Sequence, residues 1–232
     1  MSEPTSPPGD EPGELRFAEV ETLQDLSTYV ARARSLDGEG DIRLQARGTV
    51  LAAWVQVLPG QGLLGSGLVL GLRVMQLDGE HDLDITVPLG AVSDRLARRQ
   101  SMGDVSAVLS VPPMTVSPAW AAISPPLTGW EPSGGIDDDA LLQAAGEGIE
   151  AVAQGTPSGA GAAAVATLRS RVWGRLLPVD PLGGQNAAQG IPAGTGLAAY
   201  ALGFALPGQT SRVLHRGPWV RVSLRNGEIL AR

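Results

Sequence analysis

Cysteine and lysine are missing altogether from this 232-residue chain, so its 17 basic residues are all arginine. The first absence excludes disulfides, thiolate metal sites and thiol nucleophiles. The second excludes a P-loop lysine, a Schiff-base lysine and a Ser-x-x-Lys pair. Histidine occurs twice, at His81 and His215, too few for a three-histidine zinc site within one chain. Long apolar runs are lacking as well. The longest, near Gly194–Leu206, falls short of the ~18 residues a membrane span needs. The opening Met1-Ser2-Glu3-Pro4-Thr5 has neither the basic nor the apolar region of a signal peptide. A cytoplasmic protein is the expectation, without a membrane association.

Aromatics are only 4%, but apolar residues reach 43%, enough for a packed core in a chain of this length. The net charge of −7 is uneven. Residues 1–160 hold 22 acidic residues and 9 arginines; residues 161–232 hold 2 acidic residues and 8 arginines. Such asymmetry fits two lobes, or two copies, that attract each other. It fits nucleic acid less well, because the molecule as a whole is acidic.

Residues 1–14 read as a disordered acidic tail. Leu23, Leu26, Val30 and Ala33 share one helical face over Thr22–Leu36, with Thr22 and Asp25 as a capping-box variant. Four strands are predicted next, at Ile42–Arg47, Thr49–Leu58, Leu68–Leu77 and Asp82–Val87. Pro88 then opens a helix over Leu89–Gln100, with Leu89, Val92 and Leu96 inward. A short strand is expected within Val105–Val111. Six prolines between Pro112 and Pro132 block helix and central strand alike, and Trp120 and Trp130 sit among them. An extended segment packed across the second unit accounts for both. Helices are predicted over Asp137–Gln154, with Leu142, Ala145, Ile149 and Val152 buried, and over Gly161–Arg175. Leu176–Gly196 reads as a long loop and Leu197–Leu206 as a buried element. Strands at Arg212–His215, Trp219–Arg225 and Glu228–Arg232 close the chain, with Asn226-Gly227 as a type I′ turn that sets Leu224 opposite Ile229.

The fold class is thus α+β in two small units: an N-terminal α-β4-α unit with an antiparallel sheet (15–104), a proline-rich connector (105–135), and a C-terminal unit of helices plus a β-hairpin (136–232).

Chemical motifs are few. Gly60-Gln61-Gly62-Leu63-Leu64-Gly65 matches the dinucleotide fingerprint, but β-like Leu68–Leu72 follows where a helix is required, so a glycine-rich hairpin loop is the better reading. Asp137-Asp138-Asp139 cannot converge on one metal ion, since consecutive helical residues point ~100° apart; helix-start electrostatics explains them. Neither histidine stands in a recognisable catalytic order. No catalytic residue, cofactor or metal is predicted. The candidate surface for a partner or an anion is Trp120 and Trp130 of the connector with Arg221, Arg225 and Arg232 on one hairpin face.

Leu44–Trp54, Val87–Ala97 and Ser124–Glu131 with the helix after it resemble a family of two-domain, mainly actinobacterial proteins built from domains of unknown function. The resemblance spans most of residues 15–232 and implies no activity, cofactor or catalytic residue.

The reading that fits best is a non-enzymatic cytoplasmic binding or regulatory protein that self-associates through protein–protein contacts. An enzyme using Asp, Glu, Arg and Ser, with the 176–196 loop as a lid, is the first alternative. Weak nucleic-acid binding through the arginines of the last hairpin is the second.

Overall fold

The computed structural model describes residues 13–62, 64–156, 161–181 and 190–232. A short pair, β1 (Glu14–Arg16) and β4 (Val108–Ser110), lies antiparallel beside the main body. Helix α1 (Val20–Leu36) buries Leu23, Leu26, Tyr29, Val30 and Ala33, the stripe its sequence predicts. It starts two residues early, at Val20, and no side chain caps it, so the Thr22 capping box does not form.

The four N-terminal strands expected from the sequence are two. β2 (Asp41–Leu58) and β3 (Val69–Pro88) make one long antiparallel hairpin. Its apparent breaks are the two sides of a bulge. Gly48, at φ 58, faces His81, while Val50 faces Gln76, so the extra residues bulge out of β3 without ending it. Helix α2 (Leu89–Ser101) follows directly, with Leu89, Val92 and Leu96 buried.

After a 3₁₀ turn at Ala119–Ala122 come β5 (Glu131–Asp137), α3 (Asp138–Gly155) and α4 (Ala162–Gly174). The two-residue strands β6 (Leu176–Leu177), β7 (Asp180–Pro181) and β8 (Ile191–Pro192) then lead into α5 (Gly194–Ala201). The last three strands are β9 (Thr210–Arg216), β10 (Trp219–Leu224) and β11 (Gly227–Ala231).

The α+β class holds, but the sheet is not divided between two units. One seven-stranded sheet runs β2-β3-β11-β10-β9-β5-β7, and every pairing in it is antiparallel. The seam is β11 on β3, with Glu228 opposite Leu72 and Ala231 opposite Val69. Sequence periodicity marks strands but not their partners, which is why this long-range pairing escaped it.

Alternation gives the sheet two apolar faces. The inner one packs under the helices, and Tyr29 stacks on Phe204 there with ring centroids 5.8 Å apart. The outer one gathers Trp54, Leu70, Leu72, Trp219 and Leu230 under Trp120 of the connector. An antiparallel sheet with one face left to solvent would carry polar residues there; here the connector lies over part of the outer face.

Two local readings need correction. The α3 face is rotated by about one residue: Leu141, Ala144, Ala145 and Gly148 are buried, whereas Ile149 is 43% exposed. Trp173 seats on Gly148 and draws that flank inward. In the final hairpin Leu224 faces Gly227 and Val222 faces Ile229, so Arg225-Asn226 form the loop. None of these residues has positive φ, which a type I′ turn requires. Gly227 is small for another reason: a Cβ there would come within 2.5 Å of the Phe204 ring.

Candidate functional site

A groove of about 560 Å³ opens where the β2–β3 loop meets α4, β8 and the last residue. Leu58, Leu68, Val69, Trp173 and Pro192 supply its apolar surface. Its polar groups are Gln61, Ser66, Ser170, Arg169 and Arg232; no carboxylate or imidazole lines it among the described residues. The glycine-rich loop forms one wall because Gln61 and Ser66 bridge backbone to backbone across it, at 2.8 and 3.0 Å. The Gln61 side chain donates to the Ser170 hydroxyl and ties the loop to α4. That loop is followed by β3 and not by a helix, so it cannot present a helix N-terminus to a pyrophosphate.

Sequence reasoning did not find this groove. Its one local signal is Trp173, a large aromatic at the end of a helix whose Val165, Leu168 and Val172 are only half-buried. Apolar pockets with a few placed polar groups are the usual ligand sites.

Of the candidate surface residues Arg232 lines the groove, whereas Trp120, Trp130 and Arg221 lie over the outer sheet face. Trp120 is buried against that face, so it is a packing anchor. Trp130 is half-buried: its indole N–H donates to Pro126 O at 3.0 Å, and Arg221 lies over its ring at 5.9 Å. Arg221 also donates to Glu228 at 2.8 Å, and this hydrogen bond raises its already high pKa. Arg232 covers the Trp219 ring at 5.8 Å. Arg221 and Arg232 share this face, but Arg225 sits in the hairpin loop and does not join them.

Arg43 pins the connector to the sheet. Its Nη1 donates to Ala121 O at 3.0 Å and to Ser124 Oγ at 3.2 Å, while Asp84 accepts from Nε and Nη2 at 2.7 and 2.8 Å. The hydrogen bonds from Arg43 hold the Asp84 carboxyl below its usual range. Asp84 is thus committed to structure, and Asp82 stands beside it with Arg47 as its cross-strand neighbour. Trp54 Nε1, buried under the same strap, has no acceptor among the described residues.

The three aspartates at the start of α3 hold the chain together. Asp138 is fully buried and accepts from Ser211 Oγ at 2.6 Å and from Leu206 N at 2.8 Å. Asp137 accepts from Thr210 Oγ1 and Asp139 from Gly208 N. Among the described residues no group of three His, Asp or Glu is placed to hold a metal. His81 lies 3.2 Å from Asp78 O, and His215 Nδ1 lies 2.7 Å from Ser133 Oγ. Ser133 gives its own proton to Val213 O, so His215 Nδ1 carries a hydrogen and its buried Nε2 is bare.

A second, more open hollow of about 700 Å³ runs along α2. It does gather Asp94, Arg95, Arg98 and Asp104. Asp104 is engaged there: the Ser106 backbone N–H lowers its pKa and Arg99 pairs with it. The 176–196 segment borders the apolar groove instead, through Pro192, and residues 182–189 of it lie outside the described residues. Among the described residues, the hollow rich in carboxylates and the segment read as a lid are therefore not brought together.

The fold resembles that of DNA polymerase sliding clamps. A clamp from Caulobacter crescentus is 13% identical with a TM-score of 0.55, covering 94% of this chain and 65% of its own. A DNA polymerase III beta subunit from Pseudomonas aeruginosa is 14% identical at a TM-score of 0.53, covering 95% and 64%. A clamp from Bartonella birtlesii bound to griselimycin is 11% identical at a TM-score of 0.54, covering 94% and 64%. The chain thus spans about two thirds of these clamps' length. Residues 11–122 match the family model of a domain of unknown function, DUF8010, and residues 125–232 that of another, DUF8185. The chain is an adjacent pair of these two domains. Among curated proteins nothing matches it. No helix among the described residues is long and apolar enough to cross a membrane.

Proposed function

We propose that this chain is a non-enzymatic, self-associating contact protein of the cytoplasm, which holds a short apolar segment of a protein partner in the 560 Å³ groove. The observation that carries this reading is the groove's lining: an apolar floor with two arginines and, among the described residues, no acid–base pair. An extended peptide carrying one or two bulky apolar side chains and a carboxylate fits that chemistry. The likeness to clamps, one of them bound to griselimycin, supports a ligand-holding surface on this fold. The same likeness raises DNA as a partner. The exposed charges of α1 and α2 weigh against it, since Glu21, Asp25 and Asp94 balance Arg32, Arg34 and Arg98.

Selection from a random peptide library tests the reading. Ala166 is exposed on the groove wall, so Ala166→Trp fills the groove without touching the core. Peptides enriched on the natural chain should bind this variant at least tenfold more weakly. Failure to enrich any peptide, or equal binding to both proteins, would discard the groove as the site.

A further inference from the structure

The outer sheet face carries opposite charges at opposite ends. On β9, Arg212 faces Ser223 and Arg216 faces Trp219, while Val213 between them alternates into the core. Both arginines are exposed and neither forms an ion pair among the described residues. Arg216 is held in place by the strap: a Cβ on Gly129 would lie 2.6 Å from its Cζ. On β3, Asp82 alternates with half-buried Leu83 and points to the same outer face, with exposed Asp78 and Glu80 in the bulge beside it. These three acids also make no ion pair among the described residues, and the one guanidinium opposite is Arg47, the cross-strand neighbour of Asp82.

The two patches cannot satisfy each other within one molecule. Register puts Arg212 level with Leu72, through Ser223 and Glu228. Leu72 faces Trp54 and Asp82 faces Arg47, seven residues apart on β2 and about 23 Å at the usual strand rise. That is nearly three times the ~8 Å Debye length at physiological salt. Between the patches the same face leaves apolar side chains uncovered: Val50 is 41% exposed, Val74 53% and, on the strap, Leu127 82%.

We propose that a second copy of this chain docks outer face to outer face, the Asp78–Asp82 bulge of each copy on Arg212 and Arg216 of the other. A two-fold axis that brings one acidic patch onto one basic patch necessarily does so twice, because the contact is isologous. Val50, Val74 and Leu127 are then covered near the middle, where an interface is normally most apolar. The proposal rests on the self-association in the functional reading above and assigns it a face; the peptide groove is not part of that face.

Two charge reversals decide it. One variant carries Arg212→Glu and Arg216→Glu, the other Glu80→Arg and Asp82→Arg; the milder single changes Arg212→Glu and Asp82→Arg serve if a double variant fails to fold. Light scattering and analytical ultracentrifugation read the mass, in low salt and with salt added. The natural chain should dimerise, and its dissociation constant should rise at least fivefold as salt screens the contacts. Each variant alone should be weakened at least tenfold. Mixed together they should form a heterodimer, since every acidic patch again meets a basic one. A dimer unchanged in both variants, or variants that weaken without rescue on mixing, would overturn the face while leaving self-association standing. A natural chain that stays monomeric to about 200 µM, well above the micromolar range of ordinary dimers, would overturn both.

Discussion

The Trp173 indole lies directly on the backbone of Gly148, so close that a Cβ at 148 would come within 2.5 Å of Cη2. This contact joins α4 to α3 and sets one wall of the groove.

Gly148→Ala should therefore drive Trp173 off α3. The expected cost is about 1–3 kcal/mol, the range for an overpacked core site, against the few tenths by which alanine favours an exposed helix. Urea denaturation measures the loss. Peptide binding should fall with it, because the displaced ring enters the groove. A variant as stable as the natural chain would show that α4 is free to move away.

Asp138 is a buried carboxyl with two donors and, among the described residues, no ion pair. Asp138→Ala leaves the Leu206 N–H and the Ser211 hydroxyl without acceptors and should cost about 2 kcal/mol or more. Asp138→Asn keeps one acceptor oxygen and should recover part of that loss. Equal midpoints for the two variants in urea would contradict the assignment.

Arg43→Met removes the hydrogen bonds that fix the connector to β2 and leaves Asp84 without its guanidinium. The expected destabilisation is about 2 kcal/mol. Amide exchange should quicken at residues 119–124 and stay unchanged in α1. Because Asp84 is held below the usual 3.8, its contribution is present above that pH and is lost as the pH falls through the folded value. The natural chain should thus lose more stability on acidification below pH 4 than the Arg43→Met variant.

His215 supplies a second dependence at milder pH. Burial lowers its pKa from 6.5. The unfolded chain then binds the proton more readily, so stability is full above pH 6.5 and falls as the pH drops below it. His215→Gln should flatten the stability curve between pH 6.5 and 5, and thermal melts across that window check it.

How far the sequence could be read depends on whether a feature is local. The stripes of α1 and α2 are legible because burial repeats along one helix face. The strap was legible from its prolines and tryptophans, but it was expected across the second unit, whereas Trp120 packs on Trp54, Leu70 and Leu72 of the first unit as well as on Trp219 and Leu230. Helix-start charge was legible in Asp137–Asp139, but the distant Ser211 and Leu206 that give Asp138 its role leave no mark in the local pattern. The loop of the last hairpin sits one residue earlier than expected and its pairing shifts by two, because Gly227 answers to Phe204 and not to turn geometry. The groove was invisible for the same reason: Leu58, Arg169, Pro192 and Arg232 meet only in the folded chain.

The β3–β11 seam has a consequence for synthesis. Val69–Leu72 emerges from the ribosome early, but the strand that completes its hydrogen bonding is Glu228–Ala231. Until then the nascent hairpin keeps a raw edge, a template for wrong pairing. Removing the final strand should leave every helix intact and still yield an insoluble polypeptide.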